Sequence, residues 1–338
     1  MKLSELFGRE DLKDKFVLQK FLCTFLSCSR EELRMDMDRE LSDELIQKTL
    51  IAYKLYVEDK RPLEFILGHV DFFGREFFVN ESTLIPRPET EYMITAVTEY
   101  IQQIQDARSK MQESDSDHVS WVMYHESNIL LDIGTGCGVL GISVLLQNPG
   151  YFGHAALTDY FDNALEIAKK NYETYKGEIL AANSDLKVEF FQSDLLKFLT
   201  NPPSASADTS SFIKEAISGN IILVANLPYI PEEMFEANAA DNVKKFEPKP
   251  AFVGGVDWLD YYRIMFQQLF QMRGTRDKGQ EIKNEISPSS TSHGPLTCFL
   301  EMMTWQVDIL RQEFGDRMEF EEVKTFHFNI RIVKAWLK

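Results

Sequence analysis

The sequence predicts an α/β fold: a doubly wound, mostly parallel sheet with helices on both faces, preceded by a small helical domain and a linking β-hairpin. Three observations carry this. From Ile129 onward, short apolar runs alternate with glycine loops and helical stretches, the order that builds a parallel sheet. Residues before Pro62 show apolar positions spaced at three and four, with no proline and glycine only at Gly8, a helical pattern. Between them, Phe72, Phe73, Gly74, Arg75, Glu76, Phe77 and Phe78 set a glycine turn between aromatic runs, the mark of a hairpin.

Taken in order, Leu41, Leu45, Ile46, Thr49, Leu50 and Tyr53 form one helical stripe, and Ser42-Asp43-Glu44 opens it with acids in the first turn. Ile85-Pro86-Arg87-Pro88 forbids regular helix, and Thr90 to Ile104 then reads as helix. Residues 105–128 are polar and read as a surface loop. Four strands follow at Ile129–Ile133, Ala155–Thr158, Val188–Phe191 and Ile221–Ala225, with helices starting at Val139 and Asn163. Residues 200–211 and 273–295 have loop composition and read as polar insertions. The expected domains are 1–62 (helical), 63–85 (hairpin linker) and 86–338 (sheet).

Composition narrows the function. Thirty-six basic against 53 acidic side chains give a net charge of −17. That field repels phosphate and argues against direct nucleic-acid binding. The N-terminus lacks the apolar core of a signal peptide, and the apolar runs are strand-sized, too short for a membrane helix. Cys23, Cys28, Cys137 and Cys298 show no metal-binding spacing. Free thiols in a reducing cytoplasm, with no metal site and no membrane, are expected.

Leu131-Asp132-Ile133-Gly134-Thr135-Gly136-Cys137-Gly138 ends the first strand and opens a helix. Its glycines permit a tight turn and close approach of backbone to a ligand. Gly136-x-Gly138-x-x-Gly141 also fits the dinucleotide pattern, so the glycines alone do not separate NAD from S-adenosylmethionine. Asp132 does: a carboxylate there repels a pyrophosphate and attracts a sulfonium ligand carrying a free amino group. Asp159, at the end of the second strand, is placed to accept from ribose hydroxyls, and Asp194, ending the third, to meet an adenine edge.

After the fourth strand comes Asn226-Leu227-Pro228-Tyr229. The Asn226 carbonyl and the next backbone carbonyl can hold both hydrogens of a planar NH2 group, while the Tyr229 ring covers its π face. Such a nitrogen is a poor nucleophile, and fixing it aims it at a methyl carbon for in-line attack. Asn201-Pro202-Pro203-Ser204 lacks a preceding strand and an aromatic, so it takes no role.

Together, Asp132-x-Gly-x-Gly-x-Gly, Asp159, Asp194 and Asn226-x-Pro-Tyr resemble the signature of class I methyltransferases acting on amino nitrogens. Gly68–Val79, Leu84-Ile-Pro-Arg-Pro-Glu-Thr-Glu91, Phe246-Glu247-Pro248 through Asp257, and Leu300-Glu301 resemble the PrmC/HemK family specifically, over nearly the whole chain. The resemblance implies a class I methyltransferase sheet and transfer of methyl from S-adenosylmethionine, leaving S-adenosylhomocysteine. The acceptor it implies is the glutamine amide in the Gly-Gly-Gln loop of peptide-chain release factors, docked with help from residues 1–62. Gly134, Thr135, Gly136, Cys137 and Gly138 would contact the methionine moiety, with Asp132, Asp159, Asp194, Leu195 and Asn226 completing the cofactor site. Asn226, Leu227, Pro228 and Tyr229 would hold the amide.

Three positions depart from the family pattern. Leu227 replaces a proline, which the site is expected to tolerate because only the backbone carbonyl is needed. Trp258 stands where a glycine is usual, and Phe326–Arg331 retains only the arginine of a polar stretch. Asn-Leu-Pro-Tyr also occurs in ribosomal RNA adenine dimethyltransferases, so N6-adenine methylation is the alternative, set against the acidic charge and the Pro86–Glu89 block. An NAD-dependent oxidoreductase lacks an acid–base residue near the fourth strand. A non-catalytic S-adenosylmethionine-binding protein is the third alternative. Arg87 and Glu89 have two readings, an interdomain salt bridge or a pocket wall.

Overall fold

The computed structural model describes residues 1–112, 128–200, 219–255, 258–277, 296–325 and 330–338. The first helices are α1 (Leu3–Gly8), α2 (Lys15–Leu26), α3 (Arg30–Met35) and α4 (Asp43–Val57). Asp14, Ser29 and Ser42 start α2, α3 and α4 by accepting backbone N–H groups that would otherwise lack partners. Leu3, Leu18, Phe21, Leu22, Ile46 and Tyr53 close a core of their own.

Leu63–Leu67 forms α5, inside the stretch read as hairpin linker, and Gly68 ends it in the left-handed region at φ 83°. Strands β1 (His69–Phe72) and β2 (Arg75–Phe78) then pair antiparallel. Phe73 and Gly74 both take positive φ, 49° and 73°, as a type I′ turn requires. The buried Asn171 ties this hairpin to the sheet domain: its Oδ1 accepts from Phe78 N–H at 2.7 Å, and its Nδ2 donates to the carbonyls of Phe78 and Cys137.

The sheet domain starts with a 3-10 turn (Pro88–Thr90) and α6 (Glu91–Gln112). Strands β3 (Asn128–Ile133), β4 (His154–Asp159), β5 (Lys187–Gln192), β6 (Asn220–Ala225), β7 (Leu296–Met303), β8 (Met318–Thr325) and β9 (Ile330–Leu337) follow. Between and after them run α7 (Val139–Gln147), α8 (Asp162–Ala182), α9 (Lys197–Thr200), α10 (Glu232–Asn238), α11 (Asp241–Phe246), α12 (Asp260–Asp277) and α13 (Thr304–Phe314). The order across the sheet is β5-β4-β3-β6-β7-β9-β8. The first five run parallel, and β9 is antiparallel to both β7 and β8. Every residue of β3 is buried, because apolar layers cover both faces. This sheet order is the one expected from the class I methyltransferase resemblance.

The loop expected over 105–128 does not begin at 105, since α6 continues to Gln112. The polar C-terminal part of this helix is held by local bonds such as Gln102 Nε2 to Asp106 Oδ1 at 2.7 Å, so a mostly polar composition does not break the helix here. Likewise α12 extends to Asp277, into the stretch read as insertion. The Asn201–Ser204 segment, the remaining insertion residues, Asp257 and His327 lie outside the described residues. Among the described residues, no helix is long and apolar enough to cross a membrane.

Candidate active site

Parallel pairing sends the loops after β3, β4, β5 and β6 to one edge of the sheet. A cavity of about 520 Å³ opens there, walled by Gly134–Cys137, Asp159, Asp194, Leu195 and Asn226–Pro228, with Thr90 and Arg87 opposite. A second cavity of about 260 Å³ shares Asn226, Leu227 and Pro228 and adds Glu89, Tyr229, Phe252 and Glu301.

The glycine loop is shaped from below and from the side. Gly134, Gly136 and Gly138 take φ of 70°, 56° and 86°, which side-chain-bearing residues rarely adopt. A Cβ on Gly136 would meet nothing within 4 Å, so this backbone faces open cavity. Asp159 Oδ2 accepts the Gly136 N–H at 2.9 Å, and its Oδ1 accepts the Phe161 N–H at 3.0 Å. The same carboxylate thus lines the cavity and braces two loops, and burial raises its pKa. Each of its oxygens can still accept a further bond.

Two expected cofactor residues do not line the cavity. Asp132 is fully buried beneath the loop, where one oxygen accepts from the Thr135 hydroxyl at 2.6 Å and the Gly141 N–H at 2.8 Å. Burial lifts its pKa to about 6. From there it supports the loop. Gly138 caps α7 and packs on α8, since a Cβ there would come within 3.2 Å of Ala168. Cys137 does line the cavity, but burial pushes its thiol up to about 12, so it stays neutral.

Where adenine is expected, Leu195 is buried in the left-handed region at φ 55°. Gln268 of α12 holds this turn, accepting from Leu196 N–H at 2.7 Å. Asp194 lines the cavity and pairs with Lys197 at its outer rim.

On the other side, the buried Leu227 packs onto Gly134. Ile230 N–H donates to the Phe252 carbonyl at 2.9 Å, and Gly254 N–H donates back to Ile230. A Cβ on Gly254 would stand 2.3 Å from the Pro228 carbonyl, so only glycine lets the two segments lie side by side. Asn226 Nδ2 donates to the Thr90 hydroxyl at 3.0 Å, and the Tyr229 hydroxyl donates to Glu301 at 2.9 Å. Of the two readings of Arg87, the pocket wall is the one found: it lines the cavity, while its 2.7 Å bridge is to Glu247, within 86–338 and not between domains, and Glu247 also accepts the Ile85 N–H.

Thr90, Glu247 and Glu301 belong to the stretches that carry the family resemblance, but no site role was expected of them. The available signal was an acid within an otherwise apolar strand, Leu296–Met303.

The residues present fit S-adenosylmethionine. The cavity is of ligand size, the loop offers backbone no side chain obstructs, and Asp159 and Asp194 supply acceptors for hydroxyl and amino donors.

Comparison with known proteins agrees. Residues 118–228 match the methyltransferase small domain family. The chain is 31% identical over 270 residues to the release factor glutamine methyltransferase of Bacillus anthracis, covering 80% of this chain and 79% of that protein. It is 32% identical over 269 residues to the Bacillus cereus protein of the same name, covering 80% and 79%. Among solved structures, the N-terminal domain of human METTL16 in complex with SAH matches at a TM-score of 0.42 and 17% identity, covering 88% of this chain and 84% of that one.

Proposed function

This chain belongs to the release factor glutamine methyltransferase family, and on that premise we propose that Asn226 and the Leu227 backbone carbonyl hold the glutamine amide of a release factor's Gly-Gly-Gln loop for direct methylation. The enzyme is an S-adenosylmethionine-dependent protein-glutamine methyltransferase. One observation carries the assignment of the site: Asn226, Leu227 and Pro228 wall both cavities. A group in the smaller cavity therefore meets one in the larger across these residues.

When bound, S-adenosylmethionine supplies an electrophilic methyl carbon on a sulfonium. Gly134 to Cys137 would hold its amino-acid end, Asp159 the ribose, and Asp194 with Leu195 the adenine. Asn226 Oδ1 and the Leu227 carbonyl each accept one amide hydrogen, and the Tyr229 ring covers the amide face. The acceptor nitrogen has its lone pair delocalised, so its alignment matters more than any base. As it pyramidalises its hydrogens become more acidic, and the bonds to Asn226 and Leu227 strengthen toward the transition state. No base is required before attack.

Residues 1–62 are proposed to help dock the release factor, and the −17 charge opposes direct nucleic-acid binding. A cytoplasmic setting fits such a substrate. The test is incubation with S-adenosylmethionine and a cognate release factor, followed by peptide mass spectrometry. One methyl on the Gly-Gly-Gln glutamine, lost in Asn226→Ala, is the expected result. An unmodified factor alongside methylated adenine in ribosomal RNA would overturn the assignment.

A further inference from the structure

Two carboxylates wall the smaller cavity without a part in the reading above. Glu89 lines it from the turn before α6, half-buried and with no hydrogen bond or ion pair to a described residue. Glu301 lines it from β7 and is 2% exposed. Its Oε1 accepts from the Tyr229 hydroxyl at 2.9 Å, and its Oε2 makes no hydrogen bond to a described residue. The cation among the lining residues is Arg87, whose Nη2 lies 2.7 Å from Glu247 and is engaged there. Leu84, Ile230, Ala251 and Phe252 supply apolar wall. The smaller cavity is thus a largely apolar space with an excess of negative charge. At about 260 Å³ it falls below the usual size of a ligand site, so an amide that enters it meets all of its walls.

We propose that Glu89 is a catalytic residue: its carboxylate stabilises the positive charge that reaches the amide nitrogen during methyl transfer, then accepts the proton that nitrogen must lose. This rests on the reading of Asn226 and Leu227 given above. The argument is one of charge balance. A sulfonium carries a positive charge, and the acceptor amide is neutral. As the nitrogen lone pair forms the new N–C bond, the C–S bond breaks with its pair left on sulfur. The charge therefore passes from the larger cavity to the smaller. A fixed negative charge in a site of low dielectric favours the state in which it has arrived.

The methylated nitrogen then carries a surplus hydrogen and releases it as a proton. Asn226 Oδ1 and the Leu227 carbonyl orient the amide hydrogens but are weak bases, and the Tyr229 hydroxyl already donates to Glu301. Glu301 is closed off from water. Glu89 combines an unpaired carboxylate with partial exposure, so a proton taken there passes on to solvent. The order of events is unchanged: attack comes first and the proton leaves afterwards.

The test uses Glu89→Gln and Glu89→Ala in the full chain with S-adenosylmethionine and a release factor. Glutamine keeps the shape of the side chain and removes its charge. We expect Glu89→Gln to lower kcat about 100-fold, the low end of what a positioned proton acceptor contributes. The KM for the release factor and the calorimetric affinity for S-adenosylmethionine should change little. Glu89→Ala should lose at least as much and regain part of it in added formate, which returns a carboxylate to the vacated space. Chloride at the same ionic strength should do nothing. A release factor with lysine in place of the Gly-Gly-Gln glutamine puts a cation where the amide nitrogen stands. It should bind the wild-type protein about 10-fold more tightly than Glu89→Gln.

Wild-type kcat in Glu89→Gln, or a loss in Glu89→Ala that is indifferent to formate, would overturn the proposal. If Glu89→Ala does not fold, Glu89→Gln and the lysine factor decide, and equal affinities there overturn it. Glutamine methylation that survives in Asn226→Ala defeats the underlying reading, whereas its loss there beside wild-type kcat in Glu89→Gln defeats only this inference.

Discussion

Leu227 lies directly over Gly134, its Cδ2 2.9 Å from the point a Cβ on that glycine would occupy. The contact joins the loop after β3 to the loop after β6, and both wall the larger cavity. Glycine is required at 134 for this approach and for a φ of 70°. Leucine at 227 keeps the backbone carbonyl while placing an apolar side chain against the glycine loop.

That contact predicts non-additivity. Gly134→Ala should destabilise the protein and weaken cofactor binding, and adding Leu227→Ala should recover part of the loss. A coupling of about 1 kcal/mol is expected between neighbours, while the cost of alanine at positive φ, about 1 kcal/mol, stays. Denaturant melts of the four proteins measure it, and simple additivity would show that the two residues do not interact.

Asn226→Ala should lower kcat by at least about 100-fold, the scale expected when a group that positions the reacting atoms is removed. Cofactor affinity should change little, because the glycine loop and Asp159 lie on other strands. Steady-state kinetics with calorimetry separates the two. An equal loss of affinity would mean that Asn226 chiefly builds the cofactor cavity.

The Arg87–Glu247 bridge pins the Ile85–Pro88 segment across the cavity mouth. The Glu247 side chain is 1% exposed there, so Arg87→Ala leaves a buried carboxylate whose remaining donor among the described residues is the Ile85 N–H. A loss of about 1–3 kcal/mol and a raised KM for the release factor are expected, with Arg87→Lys intermediate. Unchanged melting and KM would reduce the pair to a surface contact.

Asp159→Ala should weaken S-adenosylmethionine binding about 10- to 100-fold, the loss expected from charge-assisted hydrogen bonds. It also frees the N–H groups of Gly136 and Phe161. Asp159→Asn should fall between alanine and wild type in a calorimetric titration. Wild-type affinity in Asp159→Ala would remove the carboxylate from the ligand site.

Asp132 should make stability depend on pH in the sense opposite to a salt-bridged acid. Burial raises its folded pKa to about 6, so the folded state holds this proton more tightly than the unfolded chain does. Its contribution is complete below the ordinary carboxylate range and is lost as pH rises through about 6. The difference is about 3 kcal/mol. Asp132→Asn does not titrate, so the stability gap between the two proteins should move by about that amount across the window in urea melts. Parallel curves would mean that the carboxyl is not desolvated.

The sequence by itself determined the four parallel strands from β3 to β6, the glycine loop and the Asn226–Tyr229 turn, while the antiparallel edge formed by β8 and β9 came only with the structure. Each is a local device: apolar runs of strand length, glycines at positive φ, a proline turn at a strand end. It also indicated that the Ile85–Glu91 and Phe246–Gly255 stretches matter, but not what they touch. Only the tertiary structure decided that Asp132 and Gly138 lie outside the cavity wall, and that Thr90 meets Asn226, Glu301 meets Tyr229 and Glu247 meets Arg87. Strands of a parallel sheet are buried on both faces, so their apolar runs do not tell which side chain looks toward a ligand. Glu301 reaches the motif because β7 pairs with β6 in register, Leu300 beside Ala225. That neighbour relation comes from packing the whole chain, and no local pattern within Leu296–Met303 encodes it.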